Sequence, residues 1–247
     1  KGQQGKAMSS EFVQEVEVKT GGYSAEYGRA LGGVINVVTK SGGNAFHGDG
    51  FVYFDSDATF AEQVFTSQDE GEKAMRVAGY HRFDAGADLG GYLRKDRLWF
   101  FAAYNHVSLA GDVSRVTPSP LVSTDERFPL DLTDNLYSGK LTWNAGRSTT
   151  VVGSLFADPS SKSGAAGADP RDGPADLGVT PIVNPDPGTW NATRRYGGTD
   201  FGLRMSQLLG QQALLAFQFS RHQDRNQLSP ASGQIRMGRI GIDAAHQ

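Results

Sequence analysis

The chain has no cysteine among its 247 residues, which excludes disulfide frameworks, cysteine-ligated zinc and thiolate nucleophiles. Positive charge is not in excess either. Twenty-four Lys and Arg face 27 Asp and Glu for a net charge of −3, so the basic footprint of a nucleic-acid binder is missing and no nucleic-acid partner is expected. Long apolar runs are absent too. The longest, Leu98 to Tyr104, has seven residues, whereas a spanning helix needs about 20. That rules out a helical membrane protein but leaves a membrane barrel open, because strands with alternating faces dilute the mean hydropathy, here −0.41. Lys1 opens the chain without an initiator Met, an apolar signal core or a cleavage site, so the sequence is expected to be a trimmed or internal piece of something longer.

What the chain does have is glycine, 32 residues, and 25 aromatics. After a polar start, Phe12 to Lys19 reads FVQEVEVK, with Phe12, Val16 and Val18 on one face and Glu15, Glu17 and Lys19 on the other. This is the alternation of a half-buried strand. Five glycines follow within thirteen residues (Gly21, Gly22, Gly28, Gly32, Gly33), marking turns or close backbone approach, and then a second strand, Gly33 to Lys40.

From Phe46 onward the sequence breaks into alternating segments of nine to eleven residues, the length a tilted membrane strand needs. They fall at 46–54, 82–92, 97–107, 135–144, 149–157, 199–208 and 213–222, with an eighth at 234–243. The clearest sets Leu215, Phe217 and Phe219 against Ala216, Gln218 and Ser220, and the three apolar residues are expected to face lipid. Connections between the first seven segments alternate between 27 or more residues and four. Soluble β-proteins seldom carry loops above about 12–15 residues, whereas outer-membrane barrels join strands by tight turns on one side and long loops on the other. Tyr92, Trp99 and Trp143 lie near short turns and Phe83 and Tyr137 near long loops, the places where interfacial aromatics collect. Phe100, Phe101 and Tyr104 make the segment 97–107 apolar on both faces, so its lumen side is expected to pack against another part of the protein.

The run Val13 to Gly48, VQEVEVKTGGYSAEYGRALGGVINVVTKSGGNAFHG, resembles the end of the plug domain and the start of the barrel in TonB-dependent outer-membrane receptors. Gly21 to Arg29, GGYSAEYGR, is similar to the Oar-like subgroup in particular. The resemblance implies an all-β fold in which residues 1–45 are the C-terminal part of a plug domain and 46–247 the first seven or eight strands of a transmembrane antiparallel β-barrel of roughly 22 strands. It also implies a place in the outer membrane of a Gram-negative bacterium, contact with outer-membrane lipid, and uptake of an unknown solute driven by a TonB-type energising complex whose contact region lies outside this chain. Within the plug part, Tyr23, Glu26, Tyr27 and Arg29 are the candidates to face lumen or solute. The alternative is a surface, adhesion or export-associated barrel protein without active transport; a soluble carbohydrate-binding module fits the loop alternation less well.

Enzymatic signals are weak. The five histidines show no HExxH or paired-ligand spacing, Ser24 lacks the second glycine of a G-x-S-x-G elbow, and Gly28 to Gly33 fits neither GxGxxG nor a P-loop. Asp169 to Asp176 lacks the ligand spacing of a calcium loop. No catalysis, metal or cofactor is expected. The three long connections carry a summed charge of −8 against +5 for the remainder, as a solvated outer surface would. Because seven or eight strands of a larger barrel leave two unpaired edges, the isolated 247-residue chain should neither resist heat in detergent nor form a defined pore in liposomes; a stable, conducting product would contradict the fragment reading.

Overall fold

The computed structural model describes residues 9–19, 34–59, 75–115, 127–164, 191–210 and 213–230. Ten strands are present among them: β1 Val13–Lys19, β2 Val34–Thr39, β3 Gly50–Ser56, β4 Met75–Arg94, β5 Leu98–Arg115, β6 Arg127–Asn144, β7 Thr149–Ala157, β8 Ser160–Gly164, β9 Ala192–Leu209 and β10 Ala213–Pro230. All pairings are antiparallel. β1 and β2 form a separate two-stranded hairpin, and the rest form one sheet in the order β10-β9-β7-β6-β5-β4-β3, with β8 placed between β6 and β9. Each neighbour in the sheet is a neighbour in sequence once β7 and β8 are read as one strand, the meander that tight turns produce. Among the described residues the sheet does not close, and β3 and β10 are its edges.

The short turns fall where the sequence places them. β4 and β5 are joined through Lys95–Arg97, β6 and β7 through residues 145–148, and β9 and β10 through residues 210–212. Asp96 and Gly210 take positive φ (61° and 63°) in these reversals, a region that Gly enters freely and Asp more readily than most residues. The segment expected at 46–54 corresponds to β3 together with an isolated bridge from His47 to Gly90, both on one register against β4. The candidate strand 234–243 lies outside the described residues.

Strand length departs from the sequence expectation. β4 has 20 residues and β5, β6, β9 and β10 have 18 each, about twice the nine to eleven expected. Apolar alternation marks only the stretch where one face is greasy. Beyond it both faces are polar on β9 and β10, while on β5 and β6 the apolar residues change side, with Val107, Leu130 and Leu132 buried on the inner face. The outer-face period is lost there, although the backbone ladder, which needs no side-chain pattern, continues. Asp112, Asp131, Asp134, Arg194 and Arg195, counted by sequence as loop charges, therefore sit on strands.

β7 and β8 keep a single register on both neighbours across Asp158 and Pro159, from Ala157 opposite Thr199 to Ser160 opposite Tyr196. Proline inside a sheet removes a donor, yet the bonds beside it persist. The Asp158 carboxylate accepts the Gly198 N–H at 2.7 Å, and the Pro159 carbonyl accepts the Asn135 N–H at 3.0 Å. Gly197 faces this break at φ 102°, where a side chain would collide with the Asp158 carbonyl.

The hairpin strand β1 forms where expected, but its half-burial does not. Val16 and Val18 are 53% and 60% exposed, whereas Phe12, in the 3-10 turn Ser10–Phe12 just before β1, is fully buried. The hairpin is anchored through its base. Phe12 packs with Phe101, Ala103 and Leu136, flanked by Phe51, and this cluster is the covering that the doubly apolar segment 97–107 called for. The Phe12 carbonyl also accepts the Lys40 N–H at 3.0 Å. Phe12→Ala should cost about 3–5 kcal/mol, read as a loss of amide-exchange protection across Val13–Lys19 in the intact protein of about two orders of magnitude or more.

Candidate functional site

The ladder register decides which side chains share a face, since directly opposed residues lie on the same side of a sheet. Following it across the sheet aligns Phe54 with Phe83, Ala87 with Tyr104, Tyr104 with Tyr137, Leu141 with Gly153, Leu155 with Phe201, and Leu203 with Phe219. One face is thus apolar from β3 to β10. Its large residues are open to the surroundings, with Phe54 at 67%, Trp143 at 49% and Phe217 at 55% exposed. Exposed apolar patches beyond a few hundred Å² are unusual on a soluble monomer. We call this the outer face.

The opposite, inner face is polar where the outer is greasy. Arg82 and Asp84 on β4 form an ion pair at 2.8 Å, and the Asn105 amide donates to Asp84 at 2.7 Å. His222 and Asp200 meet at 2.7 Å on β10 and β9. The hairpin is seated on this face. Lys40, just after β2, donates to Asp88 at 2.8 Å and to Asp49 at 3.2 Å, and Lys140 of β6 donates to the Thr39 carbonyl at 3.2 Å. The Asp88 side chain is only 2% exposed, and its proximity raises the pKa of the Lys40 ammonium above the ordinary 10.5, with Asp49 adding to the effect and partial burial opposing it.

The segment leaving the hairpin is clamped to the β4–β5 turn. The Asn44 side-chain oxygen accepts the Asp96 N–H at 2.9 Å and the Trp99 indole N–H at 2.7 Å, and its amide donates to the Asp96 carboxylate at 2.5 Å. Gly42 lies so close to Phe100 and Gly91 backbone that no Cβ would fit, and the Phe46 ring covers Gly91 beside Tyr92, centroids 4.8 Å apart.

The residues singled out from sequence divide accordingly. Phe83, Tyr137 and Trp143 stand on the outer face with Leu215, Phe217 and Phe219. Tyr92 and Trp99 are opposed to each other beside a register shift, and both serve the clamp, Trp99 by donating to Asn44 and Tyr92 by packing on Phe46. Nearness to a turn, the criterion used, carries no information about face. Tyr23, Glu26, Tyr27 and Arg29 lie outside the described residues. Phe12, Lys40, Asn44 and Asp88 were missed as a docking set. Their only sequence signals were an apolar residue preceding a strand and an Asp on the polar side of β4. Among the described residues no three His, Asp or Glu side chains are grouped to hold a metal.

An antiparallel meander with an apolar outer and a polar inner face is typical of outer-membrane β-barrel proteins. Residues 38–127 match the family described as outer membrane beta barrel domain. Over 218 residues the chain is 29% identical to the TonB-dependent transporter Oar of Myxococcus xanthus, a match covering 78% of this chain and 20% of that protein. The chain thus spans about a fifth of the length of that curated relative. No solved structure matches. Together the two likenesses support a place in the broad outer-membrane β-barrel and TonB-dependent transporter superfamily, and neither is to an enzyme.

Removing Lys40 strands a buried carboxylate, whereas removing Asp49, 72% exposed, does not. Lys40→Met should therefore destabilise hairpin docking by about 3 kcal/mol and Asp49→Asn by less than about 1 kcal/mol, measured by amide exchange over β1 and β2. Because the Lys40 pKa is raised in the folded state, its contribution is complete below the ordinary 10.5 and declines as pH climbs past that value. Hairpin protection should fall in that alkaline window in the parent and not in Lys40→Met.

Proposed function

We propose that this chain is the junction of plug and barrel in a TonB-dependent outer-membrane transporter. Residues 1–45 are the C-terminal part of the plug, and 46–247 begin the barrel that surrounds it. The observation that carries this reading is the pairing of two opposite faces on one sheet: an apolar outer face that continues unbroken over seven strands, and a polar inner face on which the hairpin is seated through Phe12 and Lys40. Lipid solvates the first and excludes water from none of the second, as a plugged lumen requires.

On this reading Phe83, Tyr137 and Trp143 meet the headgroup regions, and Leu215, Phe217 and Phe219 meet acyl chains. Tyr23, Glu26, Tyr27 and Arg29 face lumen or solute from the plug. An inner-membrane energising complex of TonB type moves the plug, and the long connections between β3 and β4, β5 and β6, and β8 and β9 form the solute entrance. The likeness to a protein named as a TonB-dependent transporter supports active uptake over a passive surface role. Comparing uptake by deletion and parent strains across iron chelates, glycans and peptides, with and without the energising complex, identifies the solute and tests the energy requirement together.

The membrane face has a direct test. Arginine at Leu215, Phe217 or Phe219 should cost about 2–4 kcal/mol near mid-bilayer, measured by urea unfolding of the full receptor in liposomes. Gln218→Arg and Ser220→Arg, on the inner face, should be nearly neutral. Tolerance of arginine at all three outer positions would sink the assignment.

A further inference from the structure

The outer face does not remain apolar to the ends of its strands. On β10 the outward positions run Leu215, Phe217, Phe219 and then Arg221, Gln223, Arg225 and Gln227. The register sets Arg221 opposite Phe201, Arg225 opposite Gly197 and Gln227 opposite Arg195, so Arg195 shares this face. All three arginines are exposed. Every other outward position on β7, β8, β9 and β10 is uncharged, so among the described residues of these strands the three cations share their face with no carboxylate. Asp200, Asp224 and Asp158 belong to the inner side: Asp200 engages His222, and Asp158 takes the Gly198 N–H.

Position matters as much as sign. At about 3.4 Å per residue, Arg221 follows Phe219 by roughly 7 Å and Arg225 by roughly 20 Å. The basic group thus begins where the apolar band stops, on the long-connection side. The same level on β5 and β6 carries neutral or acidic groups instead, with Tyr104 donating to Asn135 at 2.7 Å, His106 beside the same Asn135 at 3.0 Å, and Asp131 farther along β6. At this level, among the described residues, the outward basic side chains lie on β9 and β10; Arg127 stands farther out, near the start of β6.

A cation beside the hydrocarbon boundary meets lipid headgroups, and a guanidinium binds phosphate oxygens in bidentate geometry with little dehydration cost. We propose that Arg195, Arg221 and Arg225 form a binding site for the phosphate groups of a lipid in the leaflet on the long-connection side, its acyl chains lying over Phe201, Phe217 and Phe219. This rests on the membrane reading of the outer face. Charge complementarity selects the occupant. An anionic headgroup neutralises the three guanidinium groups, and an acyl chain covers the aromatic residues directly below them.

The test uses the full receptor in mixed vesicles containing lipid A or its dephosphorylated form. Co-purified lipid is quantified by mass spectrometry for the parent and for the triple variant Arg195→Gln, Arg221→Gln, Arg225→Gln. The parent should retain the phosphorylated lipid preferentially, and the variant, inserting equally well, should lose that preference by about tenfold or more. Raised salt should weaken retention in the parent and leave the variant unchanged. Equal retention of both lipids by an inserted parent, or an undiminished preference in the variant, overturns the phosphate site and leaves the membrane face intact. Failure of the parent to insert overturns both. Single variants placed beside the triple separate loss of the site from misfolding, since each should give an intermediate preference with normal insertion.

Discussion

Side-chain parity depends on an antiparallel ladder that holds one register from β3 to β10. Each strand offers two faces with a period of two, and a slip of one residue would turn every apolar side chain inward. Among the described residues of the sheet, the register shifts lie near the ends of the β4–β5 pair, at Val77/Gly79 and Tyr92/Arg94. Between them the pairing is continuous, and the difficult point, Pro159 within an interior strand, is bridged without loss of register by the Asp158 carboxylate and the positive φ of Gly197. Parity survives there because the neighbouring bonds, Asp158 N–H to the Gly198 carbonyl and Asn135 N–H to the Pro159 carbonyl, continue on both sides of the proline.

With parity fixed, the two faces carry different physics. The outer one gains from desolvation of large apolar side chains and needs no specific partner. The inner one works by satisfying polar groups in pairs, Arg82 with Asp84, Asp84 with Asn105 and Asp88 with Lys40. The hairpin joins the two modes, since a single aromatic, Phe12, supplies its apolar contact and a single ammonium, Lys40, its charge. Such a small footprint holds the hairpin firmly at its base and leaves β1 itself largely exposed. The Asn44 clamp on the β4–β5 turn then fixes where the chain passes from hairpin to sheet.

Much of this was legible in the sequence, and the exceptions share a cause. Alternation at Leu215, Phe217 and Phe219 gave both strand and face, and the four-residue connections gave the turns, because turn chemistry and period two are local signals. Strand length exceeds the sequence expectation because Ala192 to Thr199 has no apolar face to mark it, and because between Arg127 and Asn135 the apolar residues, Leu130 and Leu132, lie on the opposite face from those nearer the turn. Distance from a turn marks Tyr92 and Trp99 in the sequence, and their contacts with Phe46 and Asn44 come only from the fold. The docking set of Phe12, Lys40, Asn44 and Asp88 joins residues far apart in sequence, so no local pattern could join them.

Strands of 18 to 20 residues reach about 60 Å at about 3.3 Å per residue, twice the roughly 30 Å depth of a hydrocarbon layer. Tilted by about 35–45°, such strands rise about 42–49 Å, so a sheet set in a bilayer with its band at the lipid carries paired backbone through the headgroup layer on the loop-bearing side. On the proposed transporter reading, a solute met at the rim has a length of hydrogen-bonded sheet to pass before it comes level with the hairpin. That reading separates selection from admission in space, with a long stretch of paired backbone between a substitution that alters one and the site of the other.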